Sequence, residues 1–169
     1  VNPPRGVELQ TADADATRGV GAVLAAHLRP GDVVSLAGEL GAGKTCLVQG
    51  VARALDVPGR VTSPTFVLVK HYRGRLDLVH VDVYRLDHVQ DVLDLGDEVL
   101  APDAVTFVEW GDAVATVLPD DRLDVELVLA DPDELDSTRR RVRLTGRGGW
   151  APRVDALREA LGASDATGT

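Results

Sequence analysis

The chain has 169 residues, 44% of them hydrophobic and 27% charged, which suits one folded domain and leaves no apolar run near the roughly 18 residues that a membrane-spanning helix needs. Its formal charge of −9 disfavours unaided binding to tRNA or DNA, so any nucleic acid would have to be held by a partner. The lone Cys46 excludes an internal disulfide and argues against a zinc module, and with no leader pattern at the start the expectation is a cytoplasmic protein with no membrane contact.

Small and Pro- or Gly-bearing residues at 1–6 and 163–169 read as flexible tails around a single domain, 7–162. Within it, ATRGVGAVLAAHL has helical spacing and stops before Pro30-Gly31. GDVVSLAG is a short apolar strand that runs into glycines, and TCLVQGVARALDV restarts a helix. FVLVKHY and RLDLVHVDVY, split by Arg73-Gly74-Arg75, predict an antiparallel hairpin. A helix or pair of helical turns is expected over 87–100, then AVTFVEW as a buried strand. LDVELVLA and RRVRLTG form a second antiparallel pair, and WAPRVDALREALG a last helix. Helix crossovers suggest parallel strands and the hairpins require antiparallel ones. The expected fold class is therefore α/β, a three-layer sandwich with a mixed parallel and antiparallel central sheet.

The strand, glycine loop and helix around Ala37 carry the chemistry. Gly38-Glu39-Leu40-Gly41-Ala42-Gly43-Lys44-Thr45 matches G-x-x-x-x-G-K-[ST], the phosphate loop. Its glycines let backbone amides turn toward phosphate oxygens, and the helix start aims its positive dipole end at them. Lys44 reaches the terminal phosphates and Thr45 offers a hydroxyl to Mg²⁺. A nucleotide is thus expected against Glu39, Leu40, Gly41, Ala42, Gly43, Lys44, Thr45 and Cys46, the last a small first-turn helix residue.

Such a site needs carboxylates for the metal and for an attacking water. Asp82 ends the apolar run LDLVHVD and Glu109 ends AVTFVE, on what should be neighbouring strands; Glu109 is the better general base. Thr62-Ser63-Pro64-Thr65 reads equally as a Ser-Pro turn or as a switch segment in which Ser63 or Thr65 senses the γ-phosphate. His80 projects to the same strand face as Asp82; a metal site from His71, His80 and Asp82 is the weaker reading beside packed or surface histidines. Trp110 should lie on the strand face opposite Glu109, as core or as a contact to the nucleotide edge. The only asparagine is Asn2, so the Asn-Lys-x-Asp segment of guanine-specific proteins is impossible here and ATP is expected.

Taken together, GELGAGKT at 38–45, VTSPTF at 61–66, HVDVYRL at 80–86 and VEW at 108–110 resemble the bacterial TsaE (YjeE) family, the small P-loop ATPase of tRNA threonylcarbamoyladenosine synthesis. The resemblance covers most of residues 16–129. It implies ATP or ADP with Mg²⁺ as cofactors, a metal held by Thr45, Asp82 and Glu109, catalysis by Lys44, Glu109 and Asp82, and Thr65 in a switch-like segment. It also implies weak ATP hydrolysis alone and action on the TsaD and TsaB subunits, with tRNA met only through them. Cys46 departs from the family's usual Thr or Ser, and the C-terminal third carries no transferable motif. Two other readings stay open: an ATP-sensing binding module with incidental hydrolysis, and a small-molecule kinase whose lid would be the Arg-rich 139–143 stretch. Arg85 is a candidate arginine finger.

Overall fold

The computed structural model describes residues 4–64, 68–84, 100–131 and 137–166. Strand β1 (Arg5–Thr11) leads into α1 (Ala14–Ala25), β2 (Val33–Ala37) and α2 (Lys44–Ala54). Next come β3 (Val69–Tyr72), β4 (Asp77–Asp82), β5 (Ala104–Glu109), β6 (Leu123–Leu129), β7 (Arg140–Gly146) and the closing helix α3 (Arg153–Ala166).

The strands form one seven-stranded sheet in the order β1-β7-β6-β2-β5-β4-β3. Strands β4, β5, β2 and β6 run parallel, while β3, β7 and β1 pair antiparallel at the two sides. Both expected hairpins are present. Every residue of β5 is buried, which is why it reads as an unbroken apolar run instead of an alternating one.

Each sheet face carries its own core. On one, Val34, Leu36, Phe107 and Leu144 pack with Leu24 of α1, Leu47 and Val51 of α2, and Val154 and Leu157 of α3. On the other, Val33, Val79, Val81 and Val108 pack with Val114 and Leu118, from a short 3-10 turn that begins at Gly111 and the segment after it. This is the expected α/β sandwich with a mixed sheet.

Helix α1 starts two residues before its expected first position because Asp13, extended at φ −159°, caps it: its carboxylate accepts from the Ala16 amide at 2.8 Å. Thr17, Val20, Gly21, Leu24 and Ala25 then form the buried stripe. Helices α1 and α2 nearly touch backbone to backbone. A Cβ on Gly50 would lie 1.9 Å from the Arg18 carbonyl oxygen, and one on Gly21 would lie 2.2 Å from that of Leu47. This contact holds α2, and with it the phosphate loop, in a fixed place.

Strand β1 is an addition to the expected elements, and it begins at Arg5, within the segment expected to be a tail. The C-terminal helix, which matches no motif, is structural. Trp150, Val154 and Leu157 are almost fully buried, and Arg153 ties α3 to Asp32 at 2.7 Å while stacking on the Trp150 ring. The helix expected over 87–100 lies, but for Leu100, outside the described residues, as do Thr65 and Arg85. Among the described residues no helix is long and apolar enough to cross a membrane.

Candidate functional site

Three parallel strands bring their C-terminal ends to one edge of the sheet, where the crevice of an open α/β fold lies. In register, Leu36 of β2 pairs with Glu109 of β5, and Glu109 with Asp82 of β4. The two carboxylates that end separate apolar runs in the sequence are therefore side by side, and the phosphate loop that follows β2 is beside them. A cleft of about 400 Å³ is lined by Gly41, Ala42, Gly43, Lys44, Thr45 and Cys46 together with Ser63, Asp82, Tyr84, Glu109 and Trp110; Leu40, 91% exposed, stands at its mouth.

The loop turns into α2 at Gly43, whose φ of 108° is the left-handed region that favours glycine. Gly43 caps the helix without a side chain, so the first-turn amides, which have no intrahelical acceptor, have no side-chain cap either. An uncapped helix start of this kind binds anions. On the outer side of the loop, Arg140 of β7 donates from Nε to the Ala42 carbonyl at 3.1 Å. A trans peptide points its N–H opposite its C=O, so this brace turns the Gly43 amide away from Arg140. The residue lies inside the stretch expected to be a solvated strand face or a lid. Its neighbours follow the first expectation: Arg143 pairs with Glu8 at 2.8 Å and Arg141 lies 3.7 Å from the same side chain. Arg140→Ala should weaken nucleotide binding by on the order of three- to tenfold, measured by calorimetry, with Arg141→Ala near wild type.

Lys44 is buried; its Nζ donates to the carbonyls of Gly38 at 2.6 Å and Glu39 at 3.0 Å and sits 4.0 Å from the centre of the Trp110 ring. Burial lowers its pKa, against the opposing attraction of Glu109, Asp82 and Asp112. Thr45 donates its hydroxyl to Glu109 Oε1 at 2.8 Å. The same oxygen lies 2.8 Å from His80 Nε2, and since a carboxylate only accepts, Nε2 carries the hydrogen. Burial pushes the Glu109 carboxyl up, but His80, Thr45 and Lys44 together outweigh it and hold the group below the usual carboxylate range. Asp82 accepts from the Tyr84 amide at 2.9 Å and from Ser63 Oγ at 3.3 Å.

Lys44, Thr45, Asp82 and Glu109 thus converge as the sequence pattern suggests, and Ser63 of the candidate switch segment reaches them through Asp82. Glu39 contributes a carbonyl to Lys44 and its side chain is not part of the cleft lining. Trp110 packs against the core on the sheet face opposite Glu109, as expected, and with a left-handed φ of 63° just past the end of β5 its ring also reaches over Lys44 and lies near Tyr84, centroids 4.8 Å apart. The His71, His80 and Asp82 metal reading fails: Lys70 is the residue opposite His80, which puts His71 on the other face. His80 is instead a fully buried partner of Glu109, and among the described residues its Nδ1 has no hydrogen-bond partner. Its place two residues before Asp82 carried that signal.

The donor set tests whether a nucleotide and Mg²⁺ fit. Among the described residues no three His, Cys, Asp or Glu side chains form a metal cage. One hydroxyl and two carboxylates beside an uncapped helix start are all-oxygen, which suits a hard cation that takes only one or two carboxylates and completes its shell with water and phosphate. The fit is good.

Strand, glycine loop and helix, with acids ending the adjacent parallel strands, define an α/β protein of P-loop-type fold. A family model described as "Threonylcarbamoyl adenosine biosynthesis protein TsaE" matches residues 11–141, and the chain belongs to that family. Curated relatives named tRNA threonylcarbamoyladenosine biosynthesis protein TsaE include one from Streptomyces coelicolor, 45% identical over 79% of this chain and 93% of its own length. Another, from Treponema pallidum, is 46% identical over 66% of this chain and 84% of its own. Among solved structures, the crystal structure of Bacillus subtilis YdiB is similar with a TM-score of 0.76 at 30% identity, covering 98% of this chain and 99% of that one.

Proposed function

We propose that this protein is a Mg²⁺-dependent ATPase that supports formation of threonylcarbamoyladenosine in tRNA by binding and resetting a TsaD–TsaB complex in the cytoplasm. The observation that carries the reading is the Thr45–Glu109 hydrogen bond at the foot of the phosphate loop, with Asp82 in register beside Glu109. The family and the names of its relatives supply the tRNA modification.

Each side chain has a physical task. The first-turn amides of α2 and the Lys44 ammonium would meet the phosphate charge, with Lys44 exchanging two carbonyl acceptors for phosphate oxygens. A hydroxyl donates once and accepts as well, so Thr45 can keep its bond to Glu109 while a lone pair faces a cation. Asp82, held by Tyr84 and Ser63, supplies the second oxygen. Bound Mg²⁺ would neutralise charge on the phosphates. Among the described residues both side-chain bonds to Glu109 fall on Oε1, which leaves Oε2 to orient water. The Trp110 face over Lys44 limits water around the ammonium.

Reconstituted tRNA modification with this protein omitted, or supplied as wild type, tests the proposal. Multiple-turnover modification should require the protein and ATP; equal yield without it would refute the assignment. A narrower prediction concerns His80. His80→Ala should lower stimulated kcat by about 10- to 100-fold with KM for ATP little changed, because the residue orients a group that acts in the reaction and does not touch the nucleotide loop. His80→Gln keeps an N–H donor and should recover part of that loss, which a purely packing role would not produce.

A further inference from the structure

A second cleft, of about 650 Å³, lies further along α2 toward its C-terminal end, beside Gln49, Ala52 and Arg53. Arg18 of α1, Arg53 of α2 and Arg60 of the following loop stand around it, and Ala52, Val57 and Val61 are its apolar lining. Acidic residues outnumber basic ones in this chain, 27 to 18, and most arginines of the described residues are already bound to carboxylates, Arg153 to Asp32 and Arg143 to Glu8 among them. Arg53 and Arg60 are exposed and make no ion pair with the described residues. Arg18 forms an ion pair with Asp15, whose side chain is 91% exposed, and also donates to Gln49. Among the described residues Arg29, Arg73, Arg139 and Arg140 also make no ion pair, but only Arg53 and Arg60 stand together around a concave, partly apolar surface.

We propose that this cleft receives an acidic segment of a partner protein, with carboxylates on Arg53 and Arg60 and an apolar side chain against Val57 and Val61. A protein segment fits better than RNA. The net charge of −9 repels a polyanion from the molecule as a whole, Asp15 sits on the rim, and the apolar lining has no counterpart in a phosphate backbone. Occupancy would be felt at the nucleotide site. Gln49 accepts from Arg18 Nε at 3.2 Å and donates to the Val61 carbonyl at 2.9 Å, and Ser63, two residues on, bonds to Asp82. The cleft and the phosphate loop also share helix α2. The inference rests on the partner reading above only for the identity of the protein that carries the segment.

The test is fluorescence anisotropy with a labelled hexapeptide of Glu with Leu and Val, and separately with a labelled uridylate hexamer, against wild type and three single charge reversals. Arg53→Glu and Arg60→Glu should each weaken peptide binding on the order of tenfold, with a shallower salt dependence, while Arg29→Glu, at an equally exposed and unpaired arginine elsewhere, should not. ATP affinity should be unchanged in all three. Absence of peptide binding, equal binding by wild type and Arg60→Glu, or tighter binding of the uridylate would overturn the proposal. A second arm measures capture of wild type by purified TsaD–TsaB. Peptide binding at the cleft without that capture would count against the partner assignment of the preceding subsection and leave the cleft's chemistry standing.

Discussion

Glu109→Gln is expected to bind ATP about as well as wild type and yet to lose at least ~100-fold of partner-stimulated phosphate release, the usual scale for removing a positioned general base. The amide keeps the size of the side chain and one oxygen for the Thr45 and His80 donors, so β5, the loop and α2 should stay where they are. What disappears is the charge. In wild type that charge is secured against burial by His80, Thr45 and Lys44, so the group is ionised through the whole neutral range. Undiminished stimulated turnover in the variant would remove Glu109 from the chemistry and leave only a structural acid. A pH measurement separates the two roles. A carboxylate whose folded pKa lies below its usual 4.5 stabilises the fold fully above that value and loses the contribution as pH falls through the lowered pKa. Wild-type Tm should therefore fall more steeply than that of Glu109→Gln as pH drops below about 4.5.

Much of the site was legible because its parts are local signals. The phosphate loop is a contiguous pattern, and Asp82 and Glu109 announce themselves as charges at the ends of otherwise apolar runs. What relates them is not local. That β2 lies between β5 and β6, with β4 beyond β5, follows from packing across the whole sheet, and so does the register that puts Asp82 opposite Glu109. Strand β1 had a signal, Val7, Leu9 and Thr11 alternating with Glu8 and Gln10, but it was obscured by its closeness to the start of the chain and by pairing with β7, more than a hundred residues away in sequence. Alternation along β5 put Trp110 on the right face, but nothing local in the sequence shows that its ring also reaches over Lys44. Arg140 was invisible for a different reason: an arginine that serves carbonyl oxygens of a distant loop looks, in sequence, like any charge on a strand face.

Lys44→Met should abolish the stabilisation of the protein by ATP without lowering the Tm of the ligand-free form. At 100 times Kd a ligand adds about 2.7 kcal/mol, which for a domain of this size raises Tm by roughly 5–10 °C. That shift is the wild-type expectation in a thermal melt with ATP and Mg²⁺, and the variant should show little of it. The ligand-free comparison follows from the balance at Lys44. Burial disfavours the ammonium more than Glu109, Asp82 and Asp112 favour it, so the charge is a net cost to the empty site. Methionine keeps most of the stem that packs beneath Trp110 and removes that cost. The carbonyls of Gly38 and Glu39, on the partly exposed loop, can turn to water. A variant that melts several degrees below wild type without ligand would show that Lys44 holds the loop together; one that melts no lower, yet ignores ATP, would show a charge maintained at a cost for a phosphate that arrives from outside.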